Sequence, residues 1–164
     1  MSIFNSATIR DISPVNLPPV EVELGTRVEK LHGQGLQMSI YARNFIALPF
    51  LQITRTGLRN LALATFDKEI TTKKVISKVE GMKGYSLALV EDFIALLELQ
   101  DCTKELAVAI VCPAAQFKMS GCEMGVATPY VVLGDSIKEH NVGLANEDED
   151  ISWSPGVAFL LVKE

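Results

Sequence analysis

The chain predicts an α+β fold: a mostly antiparallel sheet with an N-terminal β-hairpin and two central helices. Three observations carry this expectation. Residues 20–42 alternate apolar and polar side chains around a glycine-containing turn, as a half-buried hairpin does. Residues 71–100 change period, and their apolar positions recur every three or four residues, as on helices. The runs ELAVAIVC at 105–112 and GVAFLLVK at 156–163 are continuously apolar and of strand length, as buried strands are.

Residues 1–19 form an extended arm in this reading, and residues 20–164 a single domain. Pro14, Pro18 and Pro19 lack the N–H that a helix or central strand needs. Val20, Val22, Leu24, Thr26 and Val28 then alternate with Glu21, Glu23, Gly25, Arg27 and Glu29. The turn is HGQG, His32 to Gly35, with His32 an exposed loop residue. Leu36, Met38, Ile40 and Ala42 supply the apolar face of the returning strand. Ile46 to Ile53 is apolar but broken by Pro49, so an edge strand or a strand–loop–strand is expected. Leu58 to Phe66 reads as a strand leading to the helical region.

The first central helix starts at Thr71 or Thr72, whose hydroxyl suits an N-cap. Val75, Ile76, Val79 and Met82 make its apolar face, and Gly81 and Gly84 bracket its end. Ser86 to Leu99 is apolar on most sides, and a helix is preferred there although Tyr85–Val90 also fits a strand. Glu91 and Asp92 are expected on its solvated edge. Glu105 to Cys112 should be a central strand ended by Pro113. Gly121 to Pro129 reads as irregular, Tyr130 to Leu133 as a short strand, residues 147–150 as an exposed loop, and Gly156 to Lys163 as the closing strand.

A chain of 164 residues buries about two-thirds of its unfolded surface and needs neither disulfide nor metal to fold. Nearly half of it is apolar, which argues against disorder. It shows no secretory signal and no run able to span a bilayer, so an intracellular location is expected. Cys102, Cys112 and Cys122 are odd in number, lack a Cys-x-x-Cys pair, and are accompanied by two histidines. Free thiols in a reducing compartment are the expectation, with no metal site and no cofactor.

Motifs that carry chemistry are not found. The chain has no Walker-type phosphate loop, no GxGxxG and no GxSxG. His140 follows Glu139, but neighbours in sequence seldom build a triad. Asn146, Asp148, Asp150 and Ser152 begin like a calcium loop, yet Ile151 and Val157 occupy the positions where such a loop needs Gly and Glu.

Charge is distributed unevenly. Residues 43–83 carry eight basic and three acidic side chains, net +5, whereas residues 84–164 carry four lysines and thirteen acids, net −9. A basic middle in an acidic chain suggests an anionic partner or head-to-tail attraction between copies. The residues that would meet an anionic surface are Arg55, Arg59, Lys73, Lys74, Lys78 and Lys83. Those expected in self-association are Glu147, Asp148, Glu149 and Asp150, with Trp153 as an interface anchor, although a core position is preferred for that residue.

The order strand, Thr-capped helix, Gly81-Met82-x-Gly84, long apolar element and further strands resembles the central part of rhabdovirus matrix proteins, over residues 58–112. The resemblance implies a non-enzymatic viral structural protein that self-associates and contacts anionic membrane lipid, nucleocapsid or RNA, with no small-molecule substrate. The arm departs from that pattern: it is not basic, and its prolines stand as LPPV rather than PPxY. The alternatives are an intracellular module that binds a partner or ligand, or a small enzyme without a recognisable motif.

Overall fold

The computed structural model describes residues 7–17, 24–40, 42–43, 57–114, 117–118, 126–146 and 151–164. The expected edge strand at 46–53 lies outside them. The fold is α+β, as expected, and the sheet is mostly antiparallel. Its strands are β1 (Ala7–Asp11), β2 (Val15–Leu17), β3 (Gln37–Met38), β4 (Gly57–Phe66), β6 (Tyr85–Leu87), β7 (Ala109–Val111), β8 (Phe117–Lys118), β9 (Val126–Val132), β10 (Asn141–Asn146) and β12 (Val157–Lys163). The main path runs β1-β4-β12-β7-β9-β10-β3. Only β12 with β7 and β10 with β3 pair in parallel among the described strands. A second, two-stranded ladder joins β5 (Ile70–Thr71) to β11 (Ser152–Trp153). The helices are α1 (Leu24–Gly33), α2 (Thr72–Glu80) and α3 (Val90–Leu97).

The sheet is covered on both faces, which explains its uninterrupted apolar strands. In β12, Ala158, Leu160 and Val162 face one core with Leu61, Leu63, Ile110 and Val131, under α3 and α1. Val157, Phe159 and Leu161 face the other, with Ala62, Ala64 and Phe66, under α2. Full burial of each large side chain contributes about 1.5–3 kcal/mol.

Of the expected arm, residues 1–6, Pro18 and Pro19 lie outside the described residues; residues 7–17 join the sheet, with β1 and β2 both pairing antiparallel with β4. Asp11 lies opposite Ala62 and Val15 opposite Arg59. Four steps along the edge therefore face three along β4, and Ile12–Pro14 form a bulge.

The hairpin expected at 20–42 is corrected. Residues 24–33 are helical, and positions 24, 28 and 31 fall on one helical face as readily as the even positions fall on one strand face. Val28 and Leu31 are buried, while Glu29, Lys30 and His32 are exposed. The glycines end this helix instead of turning a hairpin. Gly35 adopts φ +108°, and Leu36 N–H returns to Leu31 O at 3.1 Å, a helix stop in which the buried Leu36 packs back on the core. Among the described residues of the expected return strand, only Gln37–Met38 pairs, and it does so with β10.

Both central helices are present. Thr71 caps α2 by accepting from Lys74 N–H at 3.3 Å, and Gly81 closes it. The second is shorter than expected: Tyr85–Leu87 is a strand on β12, and α3 starts only at Val90. The segment expected to be irregular gives way to β9 from Val126 onwards, and β10 adds a strand that the sequence reading lacked.

Candidate functional site on the second helix

The side chains that the basic-middle reading singled out fall into separate places. Helix α2 is held at its start by the β5–β11 ladder and by Trp153, whose Nε1–H donates to Thr72 Oγ1 at 2.8 Å. Thr72, Val75 and Val79 face the core. Helical geometry then turns Lys73 and Lys74 to solvent, and Lys83 is exposed in the turn that follows. None of these three pairs with a carboxylate among the described residues. Lys78 behaves differently: it is half-buried, with Nζ 5.5 Å from the Phe66 ring centroid. Its charge serves packing as well as surface potential. Acidic neighbours exist in Asp67, Glu69 and Glu80, all exposed.

Arg59 does not belong to this face. Its Nε donates to Asp92 Oδ1 at 3.1 Å, and Asp92 sits on α3, across the sheet from α2. The expectation that Glu91 and Asp92 form a solvated edge is corrected: they are 2 % and 0 % exposed. Asp92 also accepts Leu89 N–H at 2.9 Å, capping α3, where a negative charge is favourable. The short, fully packed helix left these two carboxylates no wet side.

Arg55 and Glu147–Asp150 lie outside the described residues. The acidic run precedes Ser152, which pairs with Thr71 at the start of α2. Trp153 is half-buried and packs edge-on against Tyr130 at 5.7 Å and Phe159 at 6.5 Å. Gly143 lies opposite Tyr130, and its missing Cβ makes room for that ring.

The remaining chemically capable groups are tied into the fold. His140 is buried; its Nδ1 accepts Gly134 N–H at 3.0 Å, so the ring proton is on Nε2 and donates to Cys102 O at 2.7 Å. Glu139 accepts Asp135 N–H and does not orient the imidazole. Cys102 and Cys112 are buried, and the Cys112 thiol donates to Ala88 O at 3.3 Å. Burial, with Asp101 close by, pushes the Cys102 thiol up to about 12, which removes the thiolate at neutral pH. Cys122 lies outside the described residues. No cluster of three His, Cys, Asp or Glu suited to a metal occurs among the described residues, and no described helix is long and apolar enough to cross a membrane.

A shallow cleft of about 360 Å³ opens at the β1–β2 bulge, lined by Asp11, Ile12, Pro14, Asn60, Leu61, Lys163 and Glu164. Lys163 Nζ bridges to Asp11 Oδ2 at 3.1 Å, which raises the lysine's pKa. Both side chains are about half exposed, so the pair is weak. Nothing in the period-two pattern marked this site, because it arises from a register slip between two short strands.

The sequence and the fold match no protein-family model, no curated protein and no solved structure.

Proposed function

We propose that the chain is a non-enzymatic assembly protein that works by surface contact, with the solvent face of α2 as its site for an anionic surface. Lys73, Lys74 and Lys83 carry this reading. They are exposed, and they have no ion-pair partner among the described residues. A lysine near an anionic lipid surface contributes on the order of 1 kcal/mol, so three acting together shift binding by about two decades. The site is thus smaller than the basic middle of the sequence. Lys78 contributes partly through packing, and Arg59 is committed to Asp92.

The reading includes self-association and a place of action inside the cell, or beneath a viral envelope as the resemblance to rhabdovirus matrix proteins implies. A module that binds one cellular partner is the second reading, and the exposed lysines serve it equally. Co-sedimentation with vesicles containing anionic lipid, with neutral vesicles and with RNA, at low and high salt, tests the proposal. Binding confined to the anionic partners and lost as salt rises supports it. Equal recovery with neutral vesicles, or no binding to any anionic partner at low salt, contradicts it.

A further inference from the structure

Ser13-Pro14 is one of three Ser/Thr-Pro dipeptides in the chain, with Thr128-Pro129 and Ser154-Pro155. The fold places them differently. Thr128 is fully buried in β9. Ser154 is exposed but sits in a closed turn, its carbonyl accepting Val157 N–H at 3.1 Å. Ser13 and Pro14 are both exposed and stand in the bulge between β1 and β2. At that bulge Ile12 N–H donates to Leu61 O at 3.0 Å, and Pro14 has no N–H to donate. The proline also favours extended backbone at Ser13. The shallow cleft borders the bulge at Ile12 and Pro14, so that side of it is open. The hydroxyl is already bonded: Ser13 Oγ donates to Asp101 Oδ2 at 2.9 Å, which ties the bulge to the segment that follows α3.

We infer that Ser13 is a phosphorylation site, read by a proline-directed protein kinase. Such an enzyme takes up an exposed serine in extended backbone with proline next to it. Of the three dipeptides, Ser13-Pro14 is the one that meets these conditions. The kinase transfers the γ-phosphoryl group of ATP. The Ser13 Oγ–P bond forms, the bond from the γ-phosphorus to the β,γ-bridging oxygen breaks, ADP leaves, and the hydroxyl proton passes to the kinase's catalytic base. The product inverts the local electrostatics. Oγ loses the hydrogen it gave to Asp101, and a group of charge about −1.5 to −2 takes its place beside that carboxylate. The tether between the bulge and Asp101 becomes a repulsion. β1 and β2 pair with β4 alone among the described strands, so this edge can lift without breaking the central sheet. Val15 and Leu17, which pack in the core beneath α3, are the side chains that such lifting exposes.

Incubating the full folded chain with ATP and a purified protein kinase of the mitogen-activated class, then locating the phosphate by peptide mass mapping, tests this. A single phosphate should enter, at Ser13. Ser13→Ala and Pro14→Ala should each abolish it, the second with the hydroxyl still present, and Ser154→Ala should leave it unchanged. Phosphorylation should then speed amide exchange at Val15 and Leu17 by about ten-fold or more. Asp101→Asn should reduce that effect. Ser13→Ala, which loses the tether without gaining charge, should change exchange far less. Phosphate that enters Ser154 in preference to Ser13 overturns the inference. So does a folded chain that takes up none, whether or not a peptide of residues 7–17 is phosphorylated beside it. A chain phosphorylated at Ser13 whose exchange at Val15 and Leu17 equals the parent's overturns the release of the arm.

Discussion

Replacing Arg59 by Met probes how one buried ion pair holds the sheet to α3. Asp92 is fully buried, and its carboxylate has two described partners, Arg59 Nε at 3.1 Å and Leu89 N–H at 2.9 Å. Removing one partner of a buried pair costs about 3–5 kcal/mol, because the other charge stays behind. A second effect offsets part of this. Arg59 Nη2 is buried without a hydrogen-bond partner among the described residues, a burden of about 1–3 kcal/mol that Met removes. The expected net loss is about 2 kcal/mol. For a chain of this length that lowers Tm by roughly 4–8 °C. Urea unfolding followed by circular dichroism measures it, and Asp92→Asn completes a double-mutant cycle. Arg59→Met/Asp92→Asn should cost less than the two single changes together, by about 1–2 kcal/mol. An Arg59→Met variant within about 0.5 kcal/mol of the parent, or strict additivity in the cycle, would refute the reasoning.

Other outcomes follow from the same packing. Val79 and Leu97 are each 2 % exposed, so Asp at either position should cost several kcal/mol; a soluble variant with an unchanged melt contradicts the helix faces described. Gly143→Ala places a Cβ about 2.7 Å from the Tyr130 ring and should cost about 1–3 kcal/mol, with a changed near-ultraviolet signal from neighbouring Trp153; an unperturbed spectrum and melt contradict it. Cys102 has a folded pKa of about 12, raised from 9.0. Because the folded value is the higher one, its contribution is complete below pH 9 and is lost as pH rises towards 12. Cys102→Ala should make the alkaline loss of stability shallower, and parallel pH–stability curves for parent and variant contradict this.

The parts of the fold legible in the sequence are those where pattern and environment coincide. Thr71, Val75, Val79 and Gly81 specify α2 because cap, apolar face and stop agree. The continuous apolar run at 156–163 specifies a central strand because helices cover both faces of the sheet, whereas of the run expected as a strand at 105–112 only Ala109–Val111 pairs. The hairpin expected at 20–42 did not form because Leu24 and Val28, four residues apart, satisfy two periods at once, and Gly35 suits a helix stop as well as a turn. The site was legible only in part. Linear charge counting grouped Arg59 with Lys73, Lys74 and Lys83, although the sheet separates Arg59 from them. It also left Lys78 among the surface charges, since stacking on Phe66 depends on a strand–helix contact that spacing does not reveal.

The proposed face that meets an anionic surface is Lys73, Lys74 and Lys83. Its most direct test is the affinity of the parent chain and of Lys73→Glu/Lys74→Glu/Lys83→Glu for vesicles of anionic lipid at low salt. All three residues are exposed, so the variant should fold and melt like the parent. The account predicts that its affinity falls by a factor of about one hundred or more. A triple variant that binds as tightly as the parent contradicts the account.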